Sequence, residues 1–528
     1  MKNNNSIQNG DAMSGNEPTG ARRRRKTKVA VWLGVAGFCA GGASLIPVGA
    51  STQAAFGDPM SEGMVCSDGI ESAGVRTFEL VAADGYISTP DGNAVYNWGF
   101  GEADSGFQLP GPVLCANQGE TIVVNLANQL PVATSIQFPG QEAVTANSLP
   151  DGPQVDGLNN LVSLATEAGP TGSVSYSFVA THEGTYLYQS GSDPQLQVQM
   201  GLFGAIVIRP NVAAITPQNI LDIPWEDGGA PGLTNADALM SGAAAATAAG
   251  TAKCAYSSAD APSSATTQGT CDLSAIYDGA ADRENILMLS EIDPGLHTFI
   301  EQHLTEPLML NWKSYPNGFI GRYFLINGRS MPDTIAPNNA PWLPGQPFGA
   351  LAHVQPWDVA ENPLDAMIRY VAVGHAGYDF HPHSNHEHVI ATDGALMKAV
   401  NVIDGTVHDN TEGKFNIMVT TGGTVDATFR WTNEQHYSDS DDNRVPVVWP
   451  HGLNLQEGDF WSGSPYLGDS GELNPGILTH TQCGEYYHVA HNHDLTQATN
   501  YGATFGGMLT LIKVEPPESV QAVIGQCE

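Results

Sequence analysis

Basic residues are scarce. The 528-residue chain carries 20 Lys and Arg against 55 Asp and Glu, a formal net charge of −35. Seven of those bases and two of the acids lie in the first 55 residues, which leaves 13 bases against 53 acids beyond them, a net −40. Nucleic-acid binding needs a basic face that displaces counterions from phosphate, so that class is excluded. Charged residues of both signs reach only 14%. The Lys, Glu and Arg that coat helix surfaces are too few for a helical protein, while 59 Gly and 34 Pro supply many turns. The chain is therefore expected to be all-β. Disorder throughout is excluded by 41% apolar residues, among them nine Trp and 17 Phe. Beyond residue 55 no apolar run is long enough to span a membrane. Also missing are a Gly-rich phosphate loop with its Lys and a Ser nucleophile elbow.

The first 55 residues have the grammar of an export signal. Arg22-Arg-Arg-Arg-Lys-Thr-Lys28 precedes an apolar run from Val29 to about Ala50, and small residues follow, with Thr52-Gln53-Ala54 as a cleavage site. The expected destination is the periplasm or the extracellular space; the alternative is an uncleaved anchor. Six cysteines lie beyond this segment: Cys66, Cys115, Cys254, Cys271, Cys483 and Cys527. An even number in an exported chain implies disulfides, and locality suggests Cys66–Cys115, Cys254–Cys271 and Cys483–Cys527, although six cysteines allow fifteen pairings.

Short strands separated by Gly, Pro, Asn and Asp turns fill residues 56–212, such as Thr121-Ile-Val-Val-Asn-Leu126 and Gly201-Leu-Phe-Gly-Ala-Ile-Val-Ile208. That spacing predicts a β-sandwich. Residues 213–283 turn rich in Ala, Gly, Ser and Thr and read as a linker or insertion across the surface. A second β pattern occupies 284–435. Residues 436–516 read as a reduced third region or as closing strands of the second, and 517–528 as a tail.

Several motifs in order carry a resemblance. Leu109-Pro-Gly-Pro-Val-Leu114, Gly119-Glu-Thr-Ile-Val-Val-Asn-Leu-Ala-Asn-Gln-Leu130 and Glu183-Gly-Thr-Tyr-Leu-Tyr188 resemble the opening cupredoxin domain of multicopper oxidases. Tyr323-Phe-Leu-Ile-Asn-Gly328, His381-Pro-His-Ser-Asn-His-Glu-His388 and Ala490-His-Asn-His-Asp-Leu-Thr-Gln497 are similar to later segments of the same family. The resemblance implies tandem cupredoxin-like Greek-key β-sandwich domains and copper as cofactor. It also implies a mononuclear copper held by one Cys and two His, feeding a three-copper cluster held by four His-X-His pairs.

The chain departs from that plan. Gln137 and Pro139 stand at the first pair, and Gln189 and Gly191 at the second. Asn492 stands at the copper-binding Cys, Gln497 at the next His, and Ser384 replaces a third. A reduced copper complement without a blue-copper thiolate is expected. Nine of the sixteen His fall in 375–388 and 480–493. On a strand, residues i and i+2 face the same side, so paired imidazoles can share one metal. His381, His383, His386, His388, His491 and His493 are the candidate ligands for one or two copper ions, or for zinc. The bland alternative is ancestral histidines now hydrogen-bonding locally. Asp379, Glu387 and Asp494 flank them as candidate orienting partners. The functional expectation is an exported copper-binding protein, an oxidoreductase with altered copper sites or a non-catalytic envelope scaffold. Its acidic surface suits a cationic metal or a basic redox partner.

Overall fold

The computed structural model describes residues 63–213, 215, 252–279, 284–304, 309–316, 318–355, 364–383, 386–430, 486–503 and 506–514. Strands dominate, and they form two sandwiches in tandem, as the sequence predicts. In the first, a four-stranded sheet runs in the order Cys66–Ser67, Val113–Asn117, Phe203–Arg209, Gly184–Gln189. It faces a seven-stranded sheet built around Val75–Ser88, Thr121–Asn128 and Ser173–Val179. In the second, Glu284–Ile292, Ala366–Ala372, Thr424–Phe429 and Glu387–Thr392 form one sheet, flanked by Tyr323–Ile326. The opposing sheet runs Ala352–Val354, Leu509–Val514, Tyr486–Asn492, Tyr378–Pro382, Ile417–Val419.

Two-residue alternation explains how the sandwiches join. Along Phe203–Arg209, Ile206 and Ile208 enter the first core, while Phe203, Ala205 and Val207 face the second sandwich. Along Glu284–Ile292, Leu287 and Leu289 enter the second core and Ile286, Met288 and Ile292 face the first. Strands buried on both faces read as continuous apolar runs, as these two do. The helix Pro294–Gln302 adds to the junction. Asp293 caps it, accepting from the amides of Gly295 and Leu296, and Leu296 and Ile300 pack into the first core. His297 is buried there with ring nitrogens 2.6 and 3.1 Å from the carbonyls of Tyr96 and Gln199, a structural role.

The connector and the C-terminal strands both pack on the second sandwich. The described part of the connector, 252–279, is buried near both its ends and largely exposed between them. Ala255, Tyr256, Ala275 and Tyr277 are buried against Met367, Ile390 and Ala391 of the second sandwich. Its small residues permit that close packing, and Cys254–Cys271 closes it as expected. Within 436–516 the described strands make no sheet of their own, in line with the closing-strand alternative. Tyr486–Asn492 pairs with Tyr378–Pro382, and Leu509–Val514 pairs with Ala352–Val354, so both close the second sandwich. Cys66–Cys115 is also formed. Cys483 and Cys527 lie outside the described residues.

A buried ionic network ties three segments together. Arg369 meets Glu284 and Asp426, each at 2.8 Å, and Arg209 meets Glu284 at 2.6 Å. Asp426 also accepts from Thr185 of the first sandwich and Tyr256 of the connector. Burial alone would push the Glu284 carboxyl up, but the two guanidiniums hold it at about 2.

Glu291 behaves in the opposite way. It is buried at the junction, where it accepts from the amide of His375, from Tyr378 Oη and from Gln199 Nε2. Burial outweighs those donors and raises its carboxyl to about 7. The folded state therefore holds a proton that the unfolded chain releases near the usual carboxylate value. This contribution is fully present below about pH 4.5, fades as pH rises, and is lost above about pH 7, amounting to about 3 kcal/mol. Glu291→Gln should flatten that limb: urea midpoints at pH 5 and pH 8 should converge in the variant but differ in the parent. Equal pH slopes in both proteins would remove Glu291 as the cause.

Candidate metal centre

Antiparallel pairing of Tyr378–Pro382 with Tyr486–Asn492 builds the centre. The register sets Phe380 opposite Asn492 and His381 opposite His491. Phe380 and Asn492 point into the core, fully buried, so alternation turns the histidines to the other face. There the rings of His381 and His383 lie 4.6 Å apart, His383 and His491 5.1 Å, and His381 and His493 4.8 Å. One ring nitrogen from each of His381, His383 and His491 falls within 4.8 Å of the others. His383 Nε2 and His491 Nε2 are 3.1 Å apart. Two imidazoles on one tetrahedral ion would hold their nitrogens about 3.3 Å apart, given metal–nitrogen bonds of about 2.0–2.1 Å.

Backbone carbonyls orient these rings. His381 Nδ1 lies 2.5 Å from Phe415 O, and His491 Nδ1 lies 2.8 Å from Asn492 O. A carbonyl only accepts, so each Nδ1 carries the proton and each Nε2 presents its lone pair. Burial, then the neighbouring His383, His381 and His493, lowers the His491 imidazole to about 4. That ring stays neutral, as a metal ligand must be, across the ordinary pH range. Neutral imidazoles clustered with no thiolate beside them among the described residues suit copper or zinc, so the donor set fits a metal ion.

The six candidate histidines separate. His381, His383 and His491 converge, and His493 stacks at the exposed rim, 5.8 Å from His491. His386 and His388 are outside this three-nitrogen group. His386 is exposed with its ring 5.9 Å from that of Phe415, and His388 belongs to the other sheet, opposite Thr428. The carboxylates do not act as orienting partners in the observed contacts. Glu387 turns inward to Tyr370 Oη at 2.8 Å, and the Asp494 carboxylate accepts from Thr496. Asp379 contributes only its carbonyl, to the His493 amide. The carbonyls of Phe415 and Asn492 escaped sequence reasoning because a backbone group leaves no signature in residue type.

The positions expected to lack ligands are filled by local structure. Asn492 donates to Gln497 Oε1 at 2.6 Å and approaches Met508 Sδ at 3.4 Å, so this corner is closed by amide hydrogen bonding. Gln137 and Gln189 form a backbone bridge, with N–H···O distances of 2.8 and 3.2 Å. A side chain at Gly191 would begin 3.0 Å from Ser135 Oγ. Gln189 faces Gly374 and His375, and Pro139 faces the 420–424 turn. His383 lies beyond the far end of Tyr378–Pro382 from that turn, about 16 Å of extended chain away. The first-sandwich positions and the histidine cluster therefore belong to different places.

Residues 105–213 match the family model described as multicopper oxidase. A laccase of Aspergillus fumigatus is 31% identical over 114 residues, which is 22% of this chain and 18% of that protein. Copper resistance protein A of Pseudomonas syringae pv. tomato is 37% identical over 100 residues, 19% of this chain and 14% of that protein. Over this first-sandwich segment the chain is similar to multicopper oxidases. It spans less than a fifth of the length of these curated relatives. A blue copper oxidase from Nitrosomonas europaea aligns over 84% of this chain and 87% of its own, with 14% identity and a TM-score of 0.44. Copper is the cofactor that the family implies.

Proposed function

We propose that this multicopper oxidase relative is an exported copper-binding protein whose copper is held by imidazole alone. His381, His383 and His491 are the ligands, and His493 closes the rim. The convergence of three ring nitrogens, two of them aimed by carbonyls, carries this reading. Copper bound there supplies one-electron chemistry between its two common oxidation states. The chain's own part is to hold neutral imidazoles in place and to leave the rim open to solvent. The acidic surface favours the approach of cationic metal or of a basic redox partner, and that steering weakens with salt.

The test is reconstitution of the secreted protein with copper, followed by metal analysis and an absorption spectrum. About one tightly held copper per chain is expected, with only weak visible absorption. An intense band near about 600 nm would require Cu–thiolate bonding and would refute the all-imidazole site. Copper at background would overturn metal binding, and zinc retained in preference to copper would replace the metal. The oxidoreductase reading is favoured by the family match at 105–213. Copper-dependent oxygen consumption with a phenol would support it, and its absence with copper bound would leave a carrier or scaffold.

A further inference from the structure

The first sandwich carries an exposed apolar hairpin. Gln154–Val155 and Leu161–Ser163 form a two-stranded sheet separate from the larger sheets, just after the short pairing of Thr145–Ala146 with Leu149–Pro150. Leu149, Val155, Leu158, Leu161, Val162 and Leu164 are all exposed, Leu158 at 84%. Single apolar residues scattered on a surface are ordinary, but six large ones within sixteen residues mark an interaction surface. A two-stranded hairpin that nothing covers is also marginal in water.

The hairpin is nonetheless held in shape. At its tip the Asp156 carboxylate accepts from the amides of Leu158 and Asn160, both at 2.8 Å, and from Asn160 Nδ2 at 2.9 Å. At its base Ser163 Oγ donates to the Ala165 carbonyl at 2.7 Å, and the Leu164 amide donates to the Gly191 carbonyl at 2.9 Å. Asp151 accepts from the amide and the hydroxyl of Thr166, at 2.8 and 2.7 Å. An apolar surface already ordered in this way loses little entropy when a partner covers it.

Charge decides what that partner is. Between Arg76 and Arg209 the sequence has twelve Asp and Glu and no Lys or Arg. Asp156 sits between Val155 and Leu158, and Asp151 directly follows Leu149–Pro150. A second copy would set like charges against each other across the contact, and an anionic lipid surface would be repelled. We infer that the hairpin docks a cationic amphipathic segment of another protein, its apolar side on Leu158 and Leu161 and its Lys or Arg side chains beside Asp151 and Asp156. Docking there rests on the basic-partner part of the proposed function and needs no copper, so a negative result leaves the histidine centre untouched.

Fluorescence-anisotropy titration of the secreted protein with labelled peptides tests it. A Leu/Lys amphipathic peptide should bind saturably, at least about tenfold more tightly than a Leu/Glu or a Ser/Lys peptide of the same pattern. Leu158→Ser with Leu161→Ser should weaken the Leu/Lys peptide at least about tenfold, the scale of one interface hot spot. Both side chains are exposed, so the fold does not depend on them. Val402→Ser with Ile403→Ser alters another exposed apolar hairpin, between Lys398–Val400 and Val407–Asp409, and should leave binding unchanged. No saturable binding of the Leu/Lys peptide, equal binding of either control peptide, an unchanged affinity in the Leu158/Leu161 variant, or an equal loss in both double variants would each overturn the inference. So would a dimer in sedimentation that the Leu158/Leu161 variant dissociates, which makes the occupant a second copy. Adsorption to phosphatidylcholine vesicles that the same variant abolishes would overturn it in favour of lipid.

Discussion

Asp426→Ala is expected to lower the unfolding free energy by about 3–5 kcal/mol, the largest stability effect of any single replacement proposed for this chain. Asp426 is about 1% exposed and its carboxylate accepts from Arg369, Thr185 and Tyr256. Truncation leaves the Arg369 guanidinium, itself about 1% exposed, with Glu284 as its remaining ionic partner. Removing one member of a buried pair costs far more than the pair contributes when intact, because the other charge stays desolvated. Thr185→Val removes only a hydroxyl, and should cost about 1–3 kcal/mol. Urea unfolding measures both. A midpoint for Asp426→Ala indistinguishable from the parent would show that the network does not hold the sandwiches together.

That network also marks where sequence reading stops. Strands such as Phe203–Arg209 were legible because a short apolar run between turns has few other solutions. The disulfides Cys66–Cys115 and Cys254–Cys271 were legible from locality. Arg369 and Asp426 sit 57 residues apart in neighbouring strands, and nothing in their spacing announces that Thr185 and Tyr256 will meet them. Only the register of Ala366–Ala372 against Thr424–Phe429, opposite the first sandwich, creates the meeting. The same holds for the connector, whose Ala, Ser and Gly content suits a surface strap and a closely packed cover equally well. At the candidate centre, the shared face of His491 and His493 followed from two-residue alternation. Which histidines converge did not follow, because His381 and His491 meet by pairing across strands. The distance between Gln189 and the histidines was likewise invisible, since it depends on how the two sandwiches dock.

His383→Ala combined with His491→Ala is expected to abolish tight copper binding, lowering affinity at least about 100-fold. The closest nitrogen pair in the cluster is theirs, at 3.1 Å, so this double replacement removes two of three converging donors. His386→Ala combined with His388→Ala removes the same number of imidazoles from neighbouring sequence, yet should leave copper content unchanged, since neither joins the three-nitrogen group. The comparison separates a built site from a general effect of histidine number, which would respond equally to both pairs. His493→Ala should fall between them, because its ring stacks on His491 at the rim. Phe415→Ala is a further control: its side chain changes, but the carbonyl that orients His381 remains, so copper affinity should drop far less than in the double variant. Far-ultraviolet circular dichroism would establish that each protein keeps its β structure. If the His386/His388 pair proves the more damaging, the copper site lies across the two sheets of the second sandwich, not on the face shared by His381, His383 and His491.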